Sequence, residues 1–444
     1  MLKKGHNISM VPSTAANKKR RGVFEFCGVI LLVCFFTSGS AFAEEMLTWQ
    51  QCINEARKAH PDLYAAQALM QQTDADERIA ASARSPQLSL SVSSQESFMT
   101  AKNNGSRLSS AHSYSLSAQQ LLYDGNKTSS QIASAKEAVK GAQNNYNVVA
   151  ADLRFALRTA FTQLLKAQEL VGLAGEIAER RQNNVRLISL RYRGGREHLG
   201  SLRQSEADLA EAEFDVSQAK RGLVLAQTLL ASALGRDTHK PLRVQGAFKV
   251  ADLSVTKPDL ALLVKNNPLF QQLDTKSKAA RFDLDAARSA FSPELYLTSS
   301  IGNGSVDSLP FNNLDANAGF TVSVPIYEGG AGRVRVIKAM AVLSQHNAEE
   351  KSGYLQLFNA LEESWKSYQD ARQMVVVKRK FLDAALERST IANAQYSNGL
   401  ISFDDWVIIE NNLVSAKKEF LNAGADMLIA EAQWIQAKGE GFDG

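Results

Sequence analysis

The chain has three cysteines in 444 residues, and two of them, Cys27 and Cys34, fall within the first 43. Beyond that point only Cys52 remains, so no intramolecular disulfide can form there. Proline is missing from Gln87 to Lys240 and again from Ile326 to the end, which removes the strongest helix breaker from two long stretches. No apolar run reaches the roughly 20 residues of a membrane-spanning helix. If the chain spans a bilayer, it does so with strands. His60, His112, His198, His239 and His346 are scattered without metal-ligand spacing, and no Gly-x-Ser-x-Gly, HExxH or phosphate loop occurs. The sequence therefore predicts no catalytic residue, no metal site, no cofactor and no enzyme.

What is present begins with a secretory signal. Lys3, Lys4, Lys18, Lys19, Arg20 and Arg21 form a basic region, Val23 to Phe36 an apolar core broken only by Glu25, and Ala41-Phe42-Ala43 a small-x-small cleavage site. Val33 before Cys34 is too bulky for a lipoprotein cut, so no lipid anchor is expected. Residues 1–43 hold 6 of the 50 basic and 1 of the 46 acidic side chains, leaving 44 against 45, a net charge of −1. Nucleic-acid binding loses its compositional support.

An internal repeat follows. Pro61 to Pro86 and Pro268 to Pro293 are each 25 residues apart; Tyr123 to Tyr192 and Tyr327 to Tyr396 are each 69 apart. Ala83-Arg84-Ser85-Pro86 matches Ala290-Phe291-Ser292-Pro293, Leu122-Tyr123-Asp124-Gly125 matches Ile326-Tyr327-Glu328-Gly329, and Tyr192-Arg193-Gly194-Gly195 matches Tyr396-Ser397-Asn398-Gly399. Three matches at fixed offsets define a duplicated unit of about 200 residues. The expected boundaries are 1–43 for the signal, 44–240 for the first repeat, 241–257 for a linker packing part-way along the helical arms, and 258–444 for the second repeat.

Each repeat opens with a hairpin, at about 87–122 and about 294–326. Gln87 to Ser93 and Tyr114 to Gln119 alternate apolar and polar residues, as do Leu295 to Thr298 and Phe320 to Val324. Period two puts Leu88, Leu90 and Val92 on one face and serines on the other. Between the strands lie Asn103-Asn104-Gly105-Ser106 and Gly302-Asn303-Gly304-Ser305, both rich in turn formers. Strands of about 10 residues with Phe98, Tyr114, Phe291, Phe311 and Phe320 near their ends, in an exported chain, fit an outer-membrane barrel. Four strands cannot close one, because small barrels need about eight, and open edges in lipid are not viable. Self-association is required: two chains give 8 strands and three give 12, and a lumen wide enough for cargo favours three.

The helical arms are expected at about 126–235 and about 330–438. Asn126 to Tyr192 alone would extend about 100 Å. A 3-4 seam of apolar and small residues (Leu153, Leu157, Ala160, Leu164, Ala167, Val171) returns 204 residues later as Leu357, Leu361, Ser364, Tyr368, Ala371 and Val375, which predicts coiled-coil packing. Gly194-Gly195 and Asn398-Gly399 mark where the arms reverse.

The duplicated Ser-Pro before the strands, Tyr-[Asp/Glu]-Gly after the hairpin and Tyr-x-x-Gly at the helical tip together resemble the TolC family of outer-membrane efflux and secretion proteins, over Trp49 to about Lys438. The resemblance implies an α+β membrane protein: a homotrimer with a 12-stranded outer-membrane barrel set in lipid and a long periplasmic α-barrel. It further implies a passive duct for efflux or type I secretion, whose periplasmic tip meets an adaptor protein and an inner-membrane pump. The alternative is a non-conducting coiled-coil tether anchored in the outer membrane. By position, Asp405 matches a pore-facing aspartate, with a second such residue replaced by Ile408 or supplied by adjacent Asp404. On its own chemistry, Asp404-Asp405 reads as a solvated helix start. Tyr396 matches a tyrosine that helps hold the tip shut; its expected acidic partner falls at Ser201 and an expected arginine at Ile401, so Arg191, Arg193, Arg196 and Glu197 are candidate substitutes. Tyr192, Gly194, Gly195 and Gly399 are the candidate adaptor contacts. The sequence names no cargo.

Overall fold

A computed structural model describes residues 45–101, 105–238, 240–248, 256–303 and 314–442. The expected signal at 1–43, Asn103, Asn104, Gly304, Ser305, Phe311 and His239 lie outside the described residues.

The repeat is visible element by element. The first comprises α1 (Trp49–Ala59), α2 (Pro61–Ser82), β2 (Gln87–Ala101), β3 (Gly105–Tyr123), α3 (Lys127–Arg193) and α4 (Leu199–Ala233), with a short β1 (Glu45–Thr48) ahead of them. After β4 (Leu242–Gln245), the second comprises α5 (Leu260–Asn266), α6 (Pro268–Ser289), β5 (Glu294–Asn303), β6 (Asp315–Ser323), α7 (Ala331–Ser397) and α8 (Phe403–Ala437). Helices α3 and α7 have 67 residues each, and α4 and α8 have 35 each. Among the described residues no helix is long and apolar enough to cross a membrane.

Two features differ from the sequence expectation. Helices α2 and α6, 22 residues each, precede the hairpins; they start at Pro61 and Pro268, where proline at the first helical position loses nothing because that N–H has no intrahelical partner. The strands also differ in length: β2 and β3 run 15 and 19 residues, while β6 stops at Ser323, short of the expected 326.

The Tyr-[Asp/Glu]-Gly motif has a local cause. Gly125 and Asn126 (φ 64° and 71°), and likewise Gly329 and Gly330 (φ 63° and 85°), place two consecutive residues in the left-handed region. That pair swings the chain from strand into long helix, a geometry glycine adopts at no steric cost. In the first repeat, buried Asp124 accepts the Thr128 N–H at 2.7 Å and caps the start of α3.

Midway along α3 and α7 the repeats build matching cores. Leu157, Phe161, Leu164 and Leu230 in the first correspond to Leu361, Trp365, Tyr368 and Trp434 in the second. The first core is enlarged by β1 and β4, which pair in parallel, Glu45 opposite Leu242. Gln168 of α3 receives β4 at both ends of its amide, donating to the Val244 carbonyl (3.0 Å) and accepting its N–H (2.8 Å). Arg236 then ties β1 to α1, donating to Glu45 (2.7 and 3.0 Å) and to Glu55 (2.7 Å). Cys52 is buried in this core, and burial pushes its thiol up to about 12, so it is inert as a nucleophile.

Candidate functional site

Two regions can carry function, at opposite ends of helices about 100 Å long. At one end is a four-stranded antiparallel sheet in the order β2-β3-β5-β6. Its register puts Leu88 opposite Ala118, Leu90 opposite Leu116, Leu116 opposite Ile301, and Leu297 opposite Phe320, all on one face. That face is open: Leu90 is 71% exposed, Val92 76% and Phe320 72%. The reverse face carries a hydroxyl ladder, Ser89–Ser117 at 3.0 Å, Ser91–Ser115 at 2.9 Å and Ser93–Ser113 at 2.6 Å. It continues through Thr298, Ser300, Asn317 and Thr321. Strands β2 and β6 are the edges, each paired on one side only among the described residues.

At the far end, α3 turns into α4 at Gly194 to His198 and α7 turns into α8 at Asn398 to Ser402. Gly195 (φ 67°) and Gly399 (φ 75°) supply the left-handed residue that each turn requires. Tyr396 is buried between the two turns, 1% exposed. Its hydroxyl donates to Glu197 Oε2 at 2.7 Å, its ring stacks on Trp406 (4.6 Å between centroids, 6° between planes), and the Arg191 guanidinium lies 4.5 Å from its centroid. Arg191 also donates to the Tyr396 carbonyl at 2.9 Å. Burial together with the Glu197 carboxylate raises the Tyr396 hydroxyl well above its ordinary value. Burial pushes Glu197 upward, but hydrogen bonds from Tyr396 and Ser201 outweigh it and hold the carboxyl below its ordinary value.

The structure thus sorts the sequence candidates. Tyr396, Arg191 and Glu197 meet directly. Ser201 is buried and reaches Tyr396 only through Glu197, to whose Oε1 its hydroxyl donates at 3.0 Å. Arg193, Arg196, Tyr192, Gly194, Gly195 and Gly399 are exposed around the turns. Asp404 and Asp405 are exposed in the first turn of α8. Asp405 has a capping role: its N–H donates to Ser402 Oγ at 3.1 Å and its carboxylate accepts from the same hydroxyl at 2.7 Å. That is the solvated helix start its chemistry suggests, and it leaves one carboxylate oxygen toward solvent.

One group has no sequence signal. Glu410 of α8, 1% exposed, accepts from Arg180 of α3 (2.8 Å) and from Ser389 of α7 (2.6 Å). Arg181 bonds Asn411 and lies 3.9 Å from Asp208 of α4. A polar network therefore joins four helices just above the tip. Among the described residues no cluster of His, Cys, Asp and Glu could hold a metal ion.

An open sheet with one apolar and one hydroxyl face, set on coiled helices of this length, is the protomer architecture of an outer-membrane channel. The family model for outer membrane efflux proteins matches residues 52–236 and 260–440, and the chain belongs to that family, one of transport channels and not of enzymes. It is 22% identical over 437 residues to the outer membrane efflux protein BepC of Brucella suis, spanning 95% of this chain and 92% of that one. A membrane protein from Pseudomonas aeruginosa shares the fold with a TM-score of 0.80 at 16% identity, over 88% of this chain and 93% of that one. The outer membrane protein VceC of Vibrio cholerae does so with a TM-score of 0.77 at 19% identity, over 89% and 96%. The protein is an outer-membrane efflux channel.

Proposed function

We propose that three copies close into one 12-stranded barrel and one continuous helical tunnel, forming the outer-membrane duct of a tripartite efflux or type I secretion system. The observation that carries this is the sheet: its apolar face suits lipid, its hydroxyl face suits a water-filled lumen, and its two edges demand partners. Residues 1–43 are read as the signal that sends the chain out, and 44–240 and 258–444 as the repeats that supply alternate sectors of the wall, joined by 241–257. Family membership gives no support to the non-conducting tether.

In this reading cargo passes from an inner-membrane pump and a periplasmic adaptor into the tunnel. Tyr396, Glu197 and Arg191 hold the two turns of each protomer together and keep the tip narrow. The exposed turns around Tyr192, Gly194, Gly195 and Gly399, with Arg193 beside them, are the surface offered to the adaptor. Asp405, flanked by Asp404, would contribute one carboxylate per protomer to a ring favouring cations.

Reconstitution in planar bilayers tests the reading. The expected result is a small cation-selective pore blocked by divalent cations, with the block relieved in Asp405→Asn. Unchanged conductance and block in that variant would remove Asp405 from the pore, and no conductance from the purified trimer would overturn the duct.

A further inference from the structure

The two repeats start their returning helices with different chemistry. Helix α8 begins at Ser402, whose hydroxyl accepts the Asp405 N–H. The equivalent residue 204 positions earlier is His198, whose ring Nδ1 accepts the Ser201 N–H at 3.2 Å. The same exchange occurs at the start of the earlier helices. His60 Nδ1 accepts the Asp62 N–H at 3.2 Å where Asn267 Oδ1 accepts the Leu269 N–H at 2.9 Å in the second repeat. Both of these first-repeat caps are imidazoles, and their two second-repeat counterparts are groups that do not titrate.

At the tip the imidazole is accommodated. A Cβ on Gly200 would stand 3.1 Å from His198 Nδ1 and 3.3 Å from its Cε1, so a glycine at the second helical position leaves the ring room over the first turn. The corresponding residue in the second repeat is Asp404. The other ring nitrogen, Nε2, lies 4.0 Å from Glu197 Oε1 and 3.2 Å from Ser201 Oγ. The ring therefore sits beside the carboxylate that receives Tyr396.

We propose that His198 makes the first-repeat tip proton-sensitive, releasing the α4 cap and drawing Glu197 away from Tyr396 when the imidazole becomes charged. The inference rests on the tip reading above. A neutral imidazole accepts a hydrogen bond at one nitrogen, whereas an imidazolium donates at both and accepts at neither. Protonation thus removes the acceptor for the Ser201 N–H and puts a positive charge at the positive end of the helix dipole. The same charge attracts Glu197, the nearest anion.

The groups facing this change decide its direction. Glu197 lies in the same turn, with Arg196 also in that turn and Arg193 at the last position of α3. Tyr396 of α7 reaches the ring only through Glu197, and Arg191 of α3 lies behind Tyr396. From α8, Trp406 packs on Tyr396 and does not titrate. Glu197 is held below the ordinary carboxylate value, so it remains the anion that a charged ring would face. An imidazolium turning Nε2 onto Oε1 displaces the Ser201 hydroxyl and competes with Tyr396 for the same carboxylate. The equivalent cap in the second repeat, the Ser402 hydroxyl, has no such charge to gain.

Hydrogen exchange on the intact protein in detergent, at pH 7.5 and 5.0 and corrected for intrinsic rates, tests this directly. A cap is worth about 1 kcal/mol, so protection of the Ser201 to Ser205 amides is expected to fall about fivefold at pH 5.0. The first turn of α8, Phe403 to Trp406, serves as the internal control and should not change. His198→Asn, which caps without titrating, should abolish the difference between the two pH values. An equal fall in His198→Asn, or an equal fall in both repeats, would overturn the proposal. Failure of the underlying tip reading shows separately, as a Tyr396→Phe channel with unaltered conductance.

Discussion

Arg180 of α3 and Glu410 of α8 form an ion pair between the two repeats, with Nη2 to Oε1 at 2.8 Å, in which the arginine side chain is 32% exposed and the carboxylate only 2%. This asymmetry makes the two single substitutions unequal. Arg180→Ala strands a buried carboxylate, a loss of about 3–5 kcal/mol. Glu410→Ala leaves an arginine that can rehydrate and should cost roughly 1–2 kcal/mol. Denaturant unfolding of the two variants in detergent checks the order; equal losses would mean that the pair is as wet on one side as on the other.

The same pair sets an acid limit. Burial pushes the Glu410 carboxyl upward, but hydrogen bonds from Arg180 and Ser389 and the arginine charge outweigh it and hold the group below its ordinary value. A carboxyl with a lowered folded value binds fewer protons folded than unfolded, so its stabilisation is complete above the unfolded value of about 4.3. It is lost as pH falls from there through the lower folded value. The thermal midpoint of the wild type should drop between pH 5 and 3 by more than that of Glu410→Gln.

Tyr396→Phe deletes one hydroxyl and keeps the stack on Trp406. The expected stability loss is about 1 kcal/mol, because Glu197 keeps its bonds to Ser201 and to the His198 N–H. The expected conductance change is an increase, since the link between the two turns is gone. Trp406→Ala removes the stacking partner as well and should cost about 3–5 kcal/mol. Bilayer recordings beside thermal melts separate the two effects.

Gly125 and Gly329 occupy the same place in their repeats and meet different surroundings in the chain. A Cβ on Gly125 would lie 2.2 Å from Ser292 Cβ, while on Gly329 it would meet nothing within 4 Å. Both residues have positive φ, so alanine costs about 1–2 kcal/mol at either site; only Gly125→Ala adds the clash and should prevent folding. Ser85 is the counterpart of Ser292, so ring closure would bring Ser85 of the neighbouring copy against Gly329. Gly329→Ala is expected to fold and to assemble poorly, as size-exclusion chromatography with light scattering would show.

The long helices and the duplicated turns were legible in the sequence because α3 and α7 bury a continuous seam. Helices α2 and α6 were not: in α2 only Leu63 and Ala66 are buried, so the helix shows little apolar period within one chain. Strand β1 is four residues long and owes its existence to β4 about 200 positions away. The outer half of β2, from Ser93 to Ser97, is polar on both faces, which hid its length from an alternation test. At the tip, register with the family placed the partner of Tyr396 at Ser201. The fold puts the carboxylate one turn earlier, at Glu197, and uses Ser201 to orient it.

Closure of the sheet through neighbouring copies is the central claim, and the repeat fixes its register. Within the chain Ser117 of β3 pairs with Ser300 of β5; the equivalent residues are Thr321 of β6 and Ser93 of β2. In one protomer these lie on opposite edges, three strand spacings (about 14 Å) across the sheet and staggered by about eight residues along the strands, far beyond the roughly 7 Å a disulfide can span. Oxidation of the double variant Thr321→Cys/Ser93→Cys in the outer membrane, with Cys52 buried and silent, is predicted to give a covalent trimer on a non-reducing gel. Monomer alone, with both new thiols still open to alkylation, would contradict the closed ring.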